Sequence, residues 1–297
     1  MRYYLRRHAL NPQVMVEIDQ ARYEYLAKAR KTLVDAGSFE QRYEQLLGNF
    51  VAFELFCTRV SVRGAFEFEH RYDAWAETIS EANRHAINLL TTARLYADHV
   101  VRDFKHVLLD EPFAEVARRL LREAHTNNLS YRLVWELRNH VQHRAIAVHG
   151  IKGRGKEAPL TEASLVYCLR KNIKADQGRF KQSVLEEMSE TTDLLYTFRE
   201  YVAAISNVQC DLRKIVDAAC KAAREATQRA MDEFSEAQCL EERNGNAAVG
   251  LAAVIEDNGK FDKEVPLLLS WDDVRVALGL KNSRKMKFDP TTVRGRA

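Results

Sequence analysis

The sequence predicts a mainly α-helical protein built from long antiparallel helices, with one small C-terminal β-hairpin element. Only 5 prolines and 12 glycines punctuate 297 residues, too few for a many-stranded architecture. Apolar residues recur at alternating spacings of four and three through several long stretches, the period of one helical face. Late in the chain the step Asn258-Gly259 lies between two apolar runs, which is a hairpin signal.

The first clear helical face is Phe39, Tyr43, Leu46, Phe50, Phe53, Cys57 and Val60. A second runs from Tyr72 to Val107 through Ala82, Ala86, Leu89, Ala93, Tyr96, Val100 and Phe104. Pro112 suits the first turn of a third helix, buried on Phe113, Val116, Leu120 and Leu121. The polar cluster Thr126–Ser130 ends that helix and caps a fourth, from Tyr131 to His143. Gly150, Gly153 and Gly155 then loosen the chain, and Leu165–Leu169 has the β-branched and aromatic content of a short strand. Helix resumes near Gly178 and again from Asp193, where Leu194, Phe198, Tyr201, Ile205, Val208, Leu212 and Ile215 continue into alanines.

Reaching to about Gln238, this last helix would be close to 70 Å long, so part of it must pair with another long helix or a second subunit. Beyond Ala219 the stripe fits either a solvated alanine-rich helix or a close helix pair. Ser270 with Asp273 resembles a capping box opening a short helix at Trp271. From Lys281 the chain is basic and poor in large apolar residues, as a mobile tail would be.

A hydrophobic content of 46% supports a substantial core, and the length permits one or two domains. A net charge of +3 is too small for wholesale attraction to nucleic acid, so any such binding must use a local patch. Five cysteines without a Cys-x-x-Cys pair fit a reducing cytosol better than a disulfide framework. No signal-like or membrane-spanning apolar run is present, and a soluble cytoplasmic protein without membrane contact is expected.

The local patch lies between Leu137 and Lys156, where no acidic residue occurs but Arg138, His140, His143, Arg144, His149, Lys152, Arg154 and Lys156 do. Within it, Arg138 is followed by the polar Asn139 and, five positions on, by His143. On a regular helix Asn139 and His143 share a face, but Arg138 and His143 stand about 140° apart. They reach one phosphate if the helix unwinds near Val141, or if two copies of the segment face each other. Leu133, Leu137 and Val141 form the opposing apolar stripe.

The spelling Arg138-Asn139-x3-His143 resembles the Arg-polar-x3-His motif of the HEPN superfamily, many of whose members are metal-independent endoribonucleases. Glu81–Leu90 leading to Ala93–His99 is similar to the long first core helix of bacterial HEPN-like proteins, and Asp193–Ile205 to a later one. The similarity spans roughly residues 70 to 240. It implies a HEPN-like helical bundle whose composite cleft forms where two protomers of a homodimer meet, in a toxin or cellular-defence setting with RNA as substrate and an antitoxin or other defence protein as partner.

Metal-free RNA cleavage needs a base for the ribose 2′-hydroxyl, an acid for the leaving 5′-oxygen and a fixed cation for the charge that develops. On the resemblance, His143 from each protomer supplies base and acid, Arg138 the cation, and Asn139 orients the histidine or holds the ribose. Arg144, Lys152, Arg154, Lys156 and His140 would follow neighbouring phosphates. No cofactor is expected. No metal is expected either, since His140, His143 and His149 have no cysteine or carboxylate nearby to complete a shell.

Plainer roles are also open. Arg138 would pair with Glu136 or a neighbouring helix, and His143 would rest on the helix dipole. Trp75 and Trp135 fit core positions, and Arg94 with Asp98 fits a surface i, i+4 pair. The alternative function is a non-catalytic HEPN-like RNA- or nucleotide-binding module, or a helical protein-interaction module. The organisation expected is an N-terminal helical segment 1–69, a HEPN-like helical core 70–243, a hairpin with a short helix 244–280 and a basic tail 281–297.

Overall fold

The computed structural model describes residues 1–7, 15–66, 71–103, 112–143, 145–153, 164–175, 180–239 and 250–287. The protein is mainly helical, with small antiparallel sheets. In chain order the elements begin with β1 (Arg2–Arg7), β2 (Val16–Ile18), α1 (Gln20–Phe66), α2 (Tyr72–Asp103), α3 (Phe113–Asn127) and α4 (Leu129–His143). They continue with β3 (Gly150–Lys152), β4 (Leu165–Leu169), α5 (Arg170–Ala175), α6 (Gln182–Glu187) and β5 (Thr191–Asp193). The last are α7 (Leu194–Cys239), β6 (Leu251–Asp257), β7 (Lys260–Pro266) and α8 (Ser270–Lys281).

The chain divides into two compact units. The first comprises Met1–Gln41, Asp103–Ala114 and Leu212–Ser283; the second comprises Arg42–Arg102, Glu115–Asp211 and Arg284–Ala297, each within the described residues. Helices α1 and α7 contribute to both.

In the first unit the β6–β7 hairpin turns at Asn258 and Gly259, with φ of 51° and 77°. Two successive positive φ values suit the right-handed twist of a two-residue hairpin, and only Gly, Asn and Asp take them cheaply. The hairpin is half of a larger sheet of order β2-β1-β6-β7. β1 pairs antiparallel with β6 (Tyr4 opposite Val254) and with β2 (Tyr3 opposite Ile18). Segment 1–69 therefore does not begin as helix: two strands precede α1. Leu5, Leu251 and Ala253 share a core with Leu26 of α1 and with Ala230 and Phe234 of α7.

α1 and α7 run antiparallel here, joined by Arg22 to Glu233 at 3.6 Å and by Arg213 to Glu40 at 2.7 and 2.8 Å. Ala29, Leu33, Ala223 and Ala226 cluster with Leu269, so the alanines of α7 serve a close helix contact rather than a solvated face. The capping box expected at Ser270 is not formed. Leu269, which has no hydrogen-bonding side chain, occupies the N-cap, and Asp272 and Asp273 turn to Arg224.

In the second unit, Tyr43 and Tyr96, Phe53 and Phe198, and Tyr131 and Tyr201 form aromatic pairs with centroids 6.0, 4.9 and 5.0 Å apart. The buried Tyr96 hydroxyl donates to Gln209 at 2.8 Å, and Arg199 grips Glu54 at 2.5 and 2.7 Å. A second sheet, of order β3-β4-β5, flanks the helices. Gly150 of β3 faces Tyr167 of β4 so closely that a Cβ would lie 2.3 Å from the tyrosine oxygen.

Asn83 of α2 holds the chain just before β3, donating to the Val148 carbonyl at 3.0 Å while its Oδ1 accepts the Val148 N–H at 2.8 Å. The basic tail is anchored at its start. The Ser206 hydroxyl donates to the Arg284 carbonyl at 3.2 Å and accepts the Met286 N–H at 3.0 Å. Gly178, where helix was expected to resume, lies outside the described residues; α6 opens at Gln182.

Candidate functional site

α4 opens where Asn128 Oδ1 accepts the Tyr131 N–H at 2.8 Å, satisfying one of the first-turn donors. The helix continues unbroken through His143, so unwinding near Val141 does not bring Arg138 and His143 together within one chain. Leu133, Val134 and Leu137 are fully buried, and Val141 is half-buried. The remaining arc of α4 carries Trp135, Arg138, Asn139, Gln142 and His143 toward the surface.

Arg138 is half-buried, and its guanidinium reaches Asn139 Oδ1 at 3.3 Å. Burial, and then the nearby Arg94, lower its pKa against the opposing pull of Asp98. Arg94 itself lies 4.0 Å over the Trp135 ring and donates to Asp98 at 2.8 Å. The Arg94–Asp98 pair is thus part of the α2 face that meets α4, not mere surface support, and Trp135 is a half-buried wall rather than core. Among the described residues no carboxylate lies within ion-pair distance of Arg138. The interior-facing arginines elsewhere differ: Arg199, Arg213 and Arg275 each hold a carboxylate. Pairing of Arg138 with Glu136 does not occur, because Glu136 is buried on another side of α4 and accepts the Lys181 N–H at 3.3 Å.

Asn139 is half-buried beside Arg138, and His143 is exposed in the last turn of α4. Lys152 is exposed at the end of β3. His140 corrects the sequence reading: at 6% exposure, edge-on to Phe180 with centroids 6.4 Å apart, it cannot reach a passing phosphate. His149 Nδ1 accepts the Leu169 N–H at 2.9 Å, which ties that ring to the β3–β4 pair. Burial first, then His140, lowers its pKa. Arg144, Arg154 and Lys156 lie outside the described residues. Among the described residues no three His, Cys, Asp or Glu side chains group as metal ligands, and no helix is long and apolar enough to cross a membrane. Trp75, expected in the core, is 47% exposed.

The burial of Glu136 carries a stability consequence. Desolvation raises its pKa, opposed by the Lys181 N–H and ammonium. A carboxyl whose folded pKa is raised stabilises the fold fully below its unfolded pKa and loses that contribution as pH rises through the folded value. Glu136→Gln keeps an acceptor for the Lys181 N–H without a buried charge. We expect its unfolding free energy from urea titration at pH 7 to match or exceed that of wild type, by up to about 1 kcal/mol, with the advantage disappearing below the carboxylate range.

Sequence reasoning missed the cleft beside Arg138. α2, α3 and α4, with Lys181 ahead of α6, line an open cleft of about 430 Å³. Its floor is apolar, from Ala97, Val101 and Leu121, and its walls carry Asp98, Arg118, Arg122, His125, Trp135 and Lys181. His125 stands edge-on to Tyr131 and Trp135, with centroids 5.5 and 6.3 Å apart. Burial, and then Lys181 and Arg132, lower its pKa, which favours the uncharged ring. Tyr131, Trp135, Arg138 and Gln142 follow one another at spacings of four, three and four, which places Arg138 on the same helix face as the cleft.

No family model matches the chain, and neither a curated protein nor a solved structure similar to it was found.

Proposed function

We propose that the protein binds RNA through the exposed arc of α4 and is a HEPN-like, metal-independent endoribonuclease whose site is completed by a second copy of the chain. The observation that carries this reading is Arg138: a half-buried guanidinium beside a second arginine, without a carboxylate partner among the described residues, on the same helix as the exposed His143 five positions on. Keeping Arg138 half-buried beside Arg94, whose own charge is paired with Asp98, without a carboxylate at ion-pair distance costs free energy, which an arriving phosphate offsets through the planar fork of arginine. The exposed imidazole of His143 offers a group of the kind that transfers protons as base or acid. Since a regular α4 sets the two side chains about 140° apart, one scissile phosphate would meet Arg138 of one protomer and His143 of the other. A toxin or defence setting, cytoplasmic, with an antitoxin-like partner, extends this reading by the resemblance alone.

Wild-type protein is expected to cleave single-stranded RNA in EDTA and to leave 2′,3′-cyclic phosphate ends, because the 2′-oxygen attacks the phosphorus as the 5′-oxygen departs with a proton. Cleavage abolished by EDTA and restored by a divalent ion would overturn the metal-free mechanism. The same divergence of Arg138 and His143 favours a second reading, a non-catalytic RNA-binding module. RNA binding that weakens with salt while no cleavage occurs in any buffer would select it.

A further inference from the structure

We infer that the cleft between α2, α3 and α4 is a nucleotide site, with the base against the Trp135–His125 wall and the phosphate between Arg122 and Lys181. About 430 Å³ falls within the roughly 300–1,000 Å³ range of small-molecule sites, and the floor of Ala97, Val101 and Leu121 supplies the apolar surface such sites share. The charge around it is one-sided. Asp98, the carboxylate of the lining, is already neutralised by Arg94. Arg118 is held by Glu115 of its own helix. Arg122 and Lys181 are exposed, and neither has an ion-pair partner among the described residues.

Arg122 and Lys181, neither in an ion pair among the described residues although the Lys181 ammonium also acts on Glu136, stand at the rim of an aromatic, apolar cleft and complement a ligand that is flat and apolar at one end and anionic at the other. A nucleoside phosphate has that form, and aromatic walls accept any base because every base presents a π-face. His125, edge-on to Tyr131 and Trp135, extends that wall as a ring. The site stands whether or not the protein cleaves RNA. On the RNA-binding reading it gains a further role: Arg138 follows Trp135 by three residues, about 4.5 Å along the helix axis, so a strand with one nucleotide in the cleft would bring an adjoining phosphate to Arg138.

Isothermal titration of the full chain with adenosine 5′-monophosphate, ribose 5-phosphate and a short single-stranded RNA tests the inference. The mononucleotide is expected to bind, and ribose 5-phosphate to bind at least about tenfold more weakly for want of a base. The double variant Arg122→Ala/Lys181→Ala, its circular dichroism unchanged because both side chains are exposed, is expected to lose at least about tenfold in mononucleotide affinity. Absence of mononucleotide binding, equal binding of ribose 5-phosphate, or an affinity indifferent to the double substitution would each overturn the inference. RNA that competes with the mononucleotide identifies a strand as the source of the nucleotide, and mononucleotide binding undisturbed by RNA identifies a free nucleotide. Arg138→Ala and His143→Ala, lying outside the lining, separate the two readings: cleavage lost with mononucleotide binding retained supports both, whereas retained cleavage removes only the composite catalytic centre.

Discussion

Asp272→Ala is expected to destabilise the first unit by about 3–5 kcal/mol, the usual cost of removing one partner from a buried ion pair. Asp272 of α8 is 3% exposed and accepts Arg275 at 2.5 and 2.8 Å and Arg224 at 2.8 Å. Burial works against its carboxylate, yet the hydrogen bonds and charges of the two arginines hold its pKa below the usual range. Without it, Arg275 is left largely buried with its charge uncompensated, while Arg224 keeps Asp273 at 2.5 Å, which sets the lower end of the range.

The pH dependence follows in sign. A carboxylate whose folded pKa is depressed contributes stability above its unfolded pKa and loses it as pH falls through the folded value. Wild type should therefore lose stability on acidification more steeply than the alanine variant, and the two should converge at low pH. Urea unfolding from neutral to acidic pH measures this. A midpoint within experimental error of wild type at pH 7 would show that the ion-pair cluster does not hold α8 in place.

Much of the helical architecture is legible in the sequence because a long helix repeats its apolar signal many times. The face from Phe39 to Val60 lies within α1, and the stripe from Leu194 runs the length of α7. The Asn258-Gly259 turn is equally legible, since its two positive φ values leave few residue types to choose from. The strands that complete the sheets are not. β2, β3 and β5 have three residues each, too few to display a period, and β1 alternates only weakly because Tyr4 and Leu5 are both buried. The capping box at Ser270 is absent because α8 begins one residue earlier, with Leu269 at the N-cap, and because Asp273 pairs with Arg224, forty-six residues before Ser270.

At the site, local spelling identified Arg138 and His143 as neighbours on α4, but not their environments. The ring contact of His140 with Phe180 joins residues forty apart in the chain, and the approach of Arg94 to Trp135 depends on how α2 meets α4. The cleft needs three helices at once: Arg118, Arg122 and His125 lie on one face of α3, and only the fold shows that this face opposes Trp135. Each helix alone reads as an ordinary amphipathic surface.

The largest expected effect on activity lies in the division of labour between Arg138 and His143. If each protomer gives one group to each of two symmetry-related centres, Arg138→Ala and His143→Ala homodimers should each lose about 10²–10⁴-fold in cleavage rate, the range for removing a positioned proton-transfer group or an electrostatic stabiliser. A surface ion pair is worth only about 0.2–1 kcal/mol, so a loss of that size would mark a structural role. Both variants should stay folded, since Leu133, Val134 and Leu137, which bury α4, are untouched. If each centre needs only one arginine and one histidine, a mixed dimer of the two variants rebuilds one centre from its intact pair, and mixing the inactive homodimers should restore part of the wild-type rate. Should each centre need His143 from both protomers, as base and acid, mixing restores nothing although both variants remain dimeric. Sedimentation velocity and circular dichroism alongside the cleavage assay separate these outcomes from misfolding. Full activity in both single variants, or in a strictly monomeric wild type, would remove the composite centre and leave α4 as a binding surface.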